Sequence, residues 1–251
     1  VMVMRPDGSR QERLTTDQVS YSTPAVSPDG QTIAVASRAG GFWSIYLLDR
    51  FGQSRTKLVP GRLSLDGSPV WSPDGTKIAF RGALSGPYGD YGRIFVVNRD
   101  GTGLQQVTPE TADFTTDDVA AWSPDGAQLV YSHSGVIWAV NADGSGAQSL
   151  GIAGFDPALS PNGQRITYEA YLNQALTIFI ADRNGANARP LTTPVDGDSY
   201  ARWSPDGGEI VFQRVVGHFS HLYKIAADGA GLTKLSTITA SEYSASFSPL
   251  P

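Results

Sequence analysis

Acidic residues recur at one place in this 251-residue chain. Asp66, Asp117 with Asp118, Asp156, Asp198 and Glu242 each stand a few residues ahead of an apolar–Ser-Pro motif. If the segments that carry them converge, the carboxylates form a ring. Such a ring suits an oxygen-ligated cation, Ca²⁺ above all, or a basic segment of a partner. The alternative is local, since Asp also caps loops through hydrogen bonds to nearby backbone, and one residue can do both. The first such segment departs from the pattern and offers Tyr21 and Ser22 instead. A second acidic series, Asp29, Asp74, Asp125 and Asp206 with Asn162, lies inside Pro-Asp-Gly or Pro-Asn-Gly turns. Turn formation accounts for that series, so these are not read as metal ligands.

Other chemistries have little to build on. The three histidines are His133, His218 and His221, and the i, i+3 pair lies in or near a loop, a weak arrangement for a metal. With no cysteine there is neither a disulfide nor a thiolate site. Gly-x-Ser-x-Gly, Walker and dinucleotide loops are missing from the sequence. Asp117 and Asp118 are adjacent, and adjacent strand residues point to opposite faces, so they make a poor glycosidase pair. The sequence therefore predicts no catalytic residue, no metal site and no resident cofactor, with Ca²⁺ as the one ion the acidic ring suits. A lyase or hydrolase would need convergent acids or a histidine–acid constellation in the channel, and the histidines are few and stand outside the first strands. Tyr88 and Tyr91 in the connection 82–92, Tyr171 in the connection 171–173, and Phe219 in the connection 215–219 fit protein or glycan contact. Packing down onto their own loops would explain them equally.

Charge narrows the partners. Nineteen Lys and Arg against 24 Asp and Glu give a net charge of −5, with no basic run, which argues against nucleic acid. No apolar stretch approaches the roughly 18 residues of a membrane-spanning helix. The lack of cysteine fits a periplasmic or extracellular location. No leader is legible ahead of Val1, which reads as the interior of a strand, as expected if a leader has been removed.

The elements that must position these residues repeat. Ser-Pro-Asp-Gly or a variant begins at Ser27, Ser72, Ser123, Ser160, Ser204 and Ser248, at spacings of 45, 51, 37, 44 and 44 residues. A large apolar residue precedes each: Val26, Trp71, Trp122, Leu159, Trp203 and Phe247. Five copies continue into a second strand with period-2 alternation, at 32–37, 77–82, 128–133, 165–170 and 209–214. Third strands follow at 44–48, 93–97, 136–140, 177–181 and 221–225, then an Asp-Gly, Asn-Gly or Phe-Gly turn and a short fourth strand. A four-stranded meander cannot bury both faces alone, and stacking copies around an axis does so. The expectation is an all-β, six-bladed β-propeller spanning 1–251 as one domain.

The sixth blade is expected in two pieces. Residues 1–16 match a third and fourth strand, and 241–251 match a first strand, so N-terminal strands joining a C-terminal strand would close the ring. Its second strand has no counterpart before Pro251, as expected if the sequence is an excerpt.

Residues 71–108, with Trp-Ser-Pro-Asp-Gly, Lys-Ile-Ala-Phe, Ile-Phe-Val-Val-Asn-Arg-Asp-Gly and Gln-Val-Thr, resemble the repeat of TolB-type propellers. Similar blades occur in the non-catalytic propellers of prolyl-oligopeptidase-like and tricorn-like proteases. The resemblance implies a periplasmic or secreted scaffold that binds a protein or peptide at one end of its channel. It leaves open a propeller domain of a larger hydrolase, protease-like or glycan-acting, that positions or gates a catalytic domain. TolB-type proteins also carry an α/β domain ahead of the propeller, to which no part of these residues corresponds.

Overall fold

The computed structural model describes residues 1–39, 43–59, 64–86, 89–109, 116–193, 197–236 and 245. Its strands form a two-stranded sheet and five four-stranded antiparallel sheets. The small sheet is β1 (Met2–Val3) with β2 (Glu12–Arg13). Blade one is β3 (Tyr21–Val26), β4 (Thr32–Ser37), β5 (Ser44–Asp49) and β6 (Arg55–Lys57). Blade two is β7 (Ser64–Trp71), β8 (Lys77–Gly86), β9 (Gly89–Asn98) and β10 (Gln105–Gln106). Blade three is β11 (Asp117–Trp122), β12 (Gln128–His133), β13 (Val136–Asn141) and β14 (Gln148–Ala153). Blade four is β15 (Phe155–Leu159), β16 (Arg165–Leu172), β17 (Ala175–Asp182) and β18 (Arg189–Pro190). Blade five is β19 (Gly197–Trp203), β20 (Glu209–Val216), β21 (Phe219–Ala226) and β22 (Thr233–Lys234).

The Ser-Pro-Asp-Gly segment builds the turn from first to second strand in the same way each time. In blade two the Ser72 hydroxyl donates to Asp74 Oδ1 at 2.6 Å and accepts from Lys77 N at 2.9 Å. Asp74 Oδ1 also accepts from Thr76 N at 3.0 Å. Gly75 takes the positive φ (+68°) that closes the turn and that side chains resist. Blades one, three and five repeat the Ser–Asp bond, and blade four makes it to Asn162. The second acidic series thus does the turn work expected of it.

Alternation in each second strand sends one set of side chains to each neighbouring blade. Ala34 and Ala36 share a core with Ile78 and Phe80 of blade two. Ala79 shares one with Leu129 and Tyr131 of blade three and Val130 with Ile166 and Tyr168 of blade four, while the third-strand Ile178 of blade four packs with Phe212 of blade five. The Trp before the motif bridges blades as well: Trp71, Trp122 and Trp203 donate their indole N–H to the carbonyls of Ala25, Val70 and Ala158, at 3.0, 3.2 and 3.1 Å.

Two expectations change. Among the described residues there are five four-stranded blades, not six; the small sheet fills the sector between blades five and one. Val1 and Leu14 pack on blade one, and Met4 packs with Leu222 and Leu235 of blade five. Gln11 Nε2 donates to the Leu235 carbonyl at 3.3 Å. The strand expected at 241–251 lies outside the described residues apart from Ala245. The hairpin arms are also longer than predicted, because pairing continues past the apolar stretch: Tyr171 pairs with Leu176, and Val216 with Phe219. Tyr91, Tyr171 and Phe219 accordingly stand on strands rather than in loops.

Candidate functional site

The first strands of successive blades touch one another, β3 to β7 to β11 to β15 to β19, so they form the inner wall. Each carries a bulge where its pairing register shifts. In four blades the residue four ahead of the motif serine has positive φ: Thr23 (47°), Ser68 (58°), Asp156 (43°) and Tyr200 (57°). A bulge re-aims side chains, so residues beside it do not follow simple alternation.

This geometry sorts the acids into two kinds. Asp117 and Asp198 stand six residues ahead of their serine, before the bulge, and are buried, at 2% and 0% exposure. Each pairs in register with a residue on the second strand, Asp117 with His133 and Asp198 with Arg214. Asp198 takes two bonds from Arg214, both 2.7 Å. Those bonds hold the Arg214 guanidinium above its usual pKa, against the opposing pull of burial. Arg214 also lies over the rings of Phe212 and Tyr223, at 5.5 and 5.3 Å. Asp117 Oδ1 lies 2.7 Å from His133 Nδ1, and its other oxygen lies 3.9 Å from Arg93 Nε of blade two.

Asp118 and Asp156 find cations across seams, as Asp117 does with Arg93. Arg81 of blade two lies 3.5 Å from Asp118, and Arg202 of blade five donates to both oxygens of Asp156 at 3.2 Å. Glu169 on β16 completes this group, accepting from the Tyr200 backbone N–H at 2.6 Å. Burial, and then the Asp156 charge, push the Glu169 carboxyl up to about 9, so it is a neutral acid at pH 7. Burial raises the Tyr200 phenol as well, helped by the charges of Asp156, Glu169 and Asp118. That Tyr200 senses blades three and four together shows these side chains converging on one wall.

Partners of opposite sign therefore answer the described acids, where the sequence suggested bare carboxylates or loop caps. Among the described residues no three His, Asp or Glu side chains stand close enough to hold a metal ion. Asp66 lies on β7 by its backbone, and Glu242 and Tyr88 lie outside the described residues. The expectation that histidines stand apart from the acids is overturned by the His133–Asp117 contact, and distance no longer argues against an enzyme. Blade five places Asp198 and Arg214 at the same two positions, so the His133 pair follows a structural pattern of the repeat. His218 is exposed in a hairpin turn while His221 is buried, so that pair does not face one ligand.

Glu169, Arg202, Tyr200, Arg81 and Arg214 escaped the reading of the sequence. A signal for Glu169 was present: it interrupts the apolar second strand Ile166-Thr-Tyr-Glu-Ala170, at a position that alternation sends toward blade five. At the same end of the propeller, the hairpin arms of blades four and five carry exposed apolar side chains. Phe155, Tyr171, Val216 and Phe219 range from 42% to 69% exposed.

Residues 1–150 match the family model described as the TolB beta propeller domain. The chain is 26% identical over 209 residues to the Tol-Pal system protein TolB of Francisella tularensis subsp. mediasiatica, covering 76% of this chain and 45% of that protein. The chain thus spans less than half the length of that relative. In fold it is similar to TolB from Acinetobacter baumannii, with a TM-score of 0.84 at 21% identity, over 99% of this chain and 62% of that one. It is also similar to an oligogalacturonate lyase in complex with manganese, with a TM-score of 0.64 at 16% identity, over 97% and 73% of the two chains.

Proposed function

The chain belongs to the TolB β-propeller domain family, and from that premise we propose that it is a non-catalytic scaffold that binds a protein or peptide. The partner docks at the end of the propeller where the first strands begin. One observation carries this reading: exposed Phe155, Tyr171, Val216 and Phe219 flank a polar wall whose acids, Asp118 and Asp156, already have cationic partners. Apolar side chains beside ordered charge provide the two parts of a protein interface, an anchor and a polar surround. Asp66, Glu242, Tyr88 and Tyr91 remain candidate contacts on the sequence reading alone, and a glycan is the alternative occupant. The family relation supports a periplasmic or extracellular location. We further propose that residues 1–251 form one six-bladed ring, with 241–251 supplying the first strand of the blade that β1 and β2 begin.

A second reading makes the chain the propeller of a larger hydrolase, and the His133–Asp117 contact favours it. Binding measurements separate the two. A partner crosslinked in the periplasm of the source organism is purified and titrated against the chain. Tyr171→Ala with Phe219→Ala is expected to weaken binding at least tenfold, or about 1.4 kcal/mol, whereas Lys234→Ala at the far edge of blade five leaves it unchanged. Equal affinity for all three proteins would exclude this surface. A hydrolytic activity lost in His133→Ala would favour the second reading.

A further inference from the structure

Blades are tied to one another by polar side chains as well as by apolar cores, and the ties are unequal. Between blades one and two, Trp71 donates to the Ala25 carbonyl, Ser68 N donates to Thr23 Oγ1 at 3.0 Å, and Arg99 reaches Asp29 and Thr32 at 2.8 and 2.7 Å. Between two and three, Trp122 donates to the Val70 carbonyl, Arg81 meets Asp118, and Gln105 Nε2 donates to the Asp143 carbonyl at 2.8 Å. Between four and five, Trp203 donates to the Ala158 carbonyl, Arg202 holds Asp156, and Glu169 accepts from Tyr200 N. Between three and four, a single side-chain hydrogen bond crosses among the described residues, from Arg183 Nη2 to Gln128 Oε1 at 2.8 Å.

The cause is legible in the repeat. The position that supplies the bridging indole holds Leu159 in blade four, which has no donor. The carbonyl equivalent to those of Ala25, Val70 and Ala158 is that of Ala121, two residues ahead of Ser123. What remains at this seam is an apolar core of Val130, Ile137, Ile152, Ile166 and Tyr168. Apolar contact is non-directional and tolerates sliding, whereas each buried hydrogen bond fixes a geometry and penalises its loss. In a stacked array, opening starts at the weakest nearest-neighbour interface. We infer that, of the four seams between blades one and five, the one between blades three and four opens most readily.

The chain has no cysteine, so one introduced thiol reports one seam. Equivalent second-strand positions, seven residues after each motif serine, are Ala34, Ala79, Val130 and Thr167, all fully buried. They face the seams one–two, two–three, three–four and four–five in that order. Each is changed to Cys and labelled with an aromatic disulfide reagent under native conditions. Val130→Cys is expected to label at least ten times faster than Ala34→Cys, Ala79→Cys and Thr167→Cys. A rate at Val130→Cys no faster than at the other three overturns the inference. Two further variants test the cause without relying on how one mutant folds. Leu159→Trp, which supplies the missing indole, is expected to slow labelling at Val130→Cys at least threefold and leave Ala34→Cys unchanged. Trp203→Leu, which copies the weak seam, is expected to speed labelling at Thr167→Cys. No change in both would overturn the role of the indole.

Discussion

Glu169 gives the sharpest test of the inner wall. The residue is 6% exposed, and its carboxyl accepts from Tyr200 N and is raised to about 9 by burial and by Asp156. In the unfolded chain the same group titrates near about 4.3. Between those two values the folded protein holds a proton that the unfolded chain has released. Stability from this group is therefore fully present below the unfolded value and is lost as pH rises toward the folded one. The slope is about 1.4 kcal/mol per pH unit for one proton, so a rise from about pH 6 to about pH 8 removes roughly 3 kcal/mol. Glu169→Gln keeps an acceptor for Tyr200 N and a donor for Asp156 but cannot ionise. Urea unfolding at both pH values, with a shared m-value, measures the difference for each protein. Wild type is expected to lose roughly 3 kcal/mol more than Glu169→Gln over that interval. Equal losses in the two proteins would refute a protonated Glu169 and the wall built on it.

Other outcomes follow from the same geometry. Asp198→Ala leaves the Arg214 guanidinium without its carboxylate next to Phe212 and Tyr223, and should cost about 3–5 kcal/mol, read as a fall in urea midpoint. Arg214→Ala, which strands the carboxylate instead, should cost a similar amount. Gly8 has φ of +83°, and a Cβ there would run into the Leu235 carbonyl oxygen. Gly8→Ala should therefore loosen the N-terminal hairpin from blade five and cost about 1–3 kcal/mol, checked by the melting temperature and by proteolysis near residue 10. Gly217→Ala, whose added Cβ meets nothing, should cost only the price of its own positive φ, about 1 kcal/mol.

Turns and blade faces were legible from sequence because their causes are local. Ser, Pro, Asp and Gly at fixed spacing make their own hydrogen bonds, as Ser72, Asp74 and Gly75 do, and period-2 alternation divides Ile33 from Ala34 between two seams. The hairpin arms were underestimated because pairing of Tyr171 with Leu176 owes little to burial, while the sequence signal for a strand is burial on one side. The acidic positions were visible, but their roles were not. Asp117 and Asp156 look alike in sequence, yet a bulge lies between their two positions: Asp117 meets His133 of its own blade as well as Arg93 of blade two, whereas Asp156 meets Arg202 of blade five.

What the sequence by itself determined is the repeat: five four-stranded units, the turns that join them, and acids gathered at the start of each first strand. Only the tertiary structure decided what those acids meet. Arg81, Arg202 and Arg214 are recruited from second strands and neighbouring blades, up to 46 residues away in the case of Asp156 and Arg202. It also decided that burial and Asp156 raise the Glu169 carboxyl and that Leu159 leaves one seam without an indole bond. Alternation and turn chemistry act over a few residues and are written there. Charge pairing, burial and inter-blade bonds depend on which strands the ring brings side by side, and distance along the chain carries no record of that.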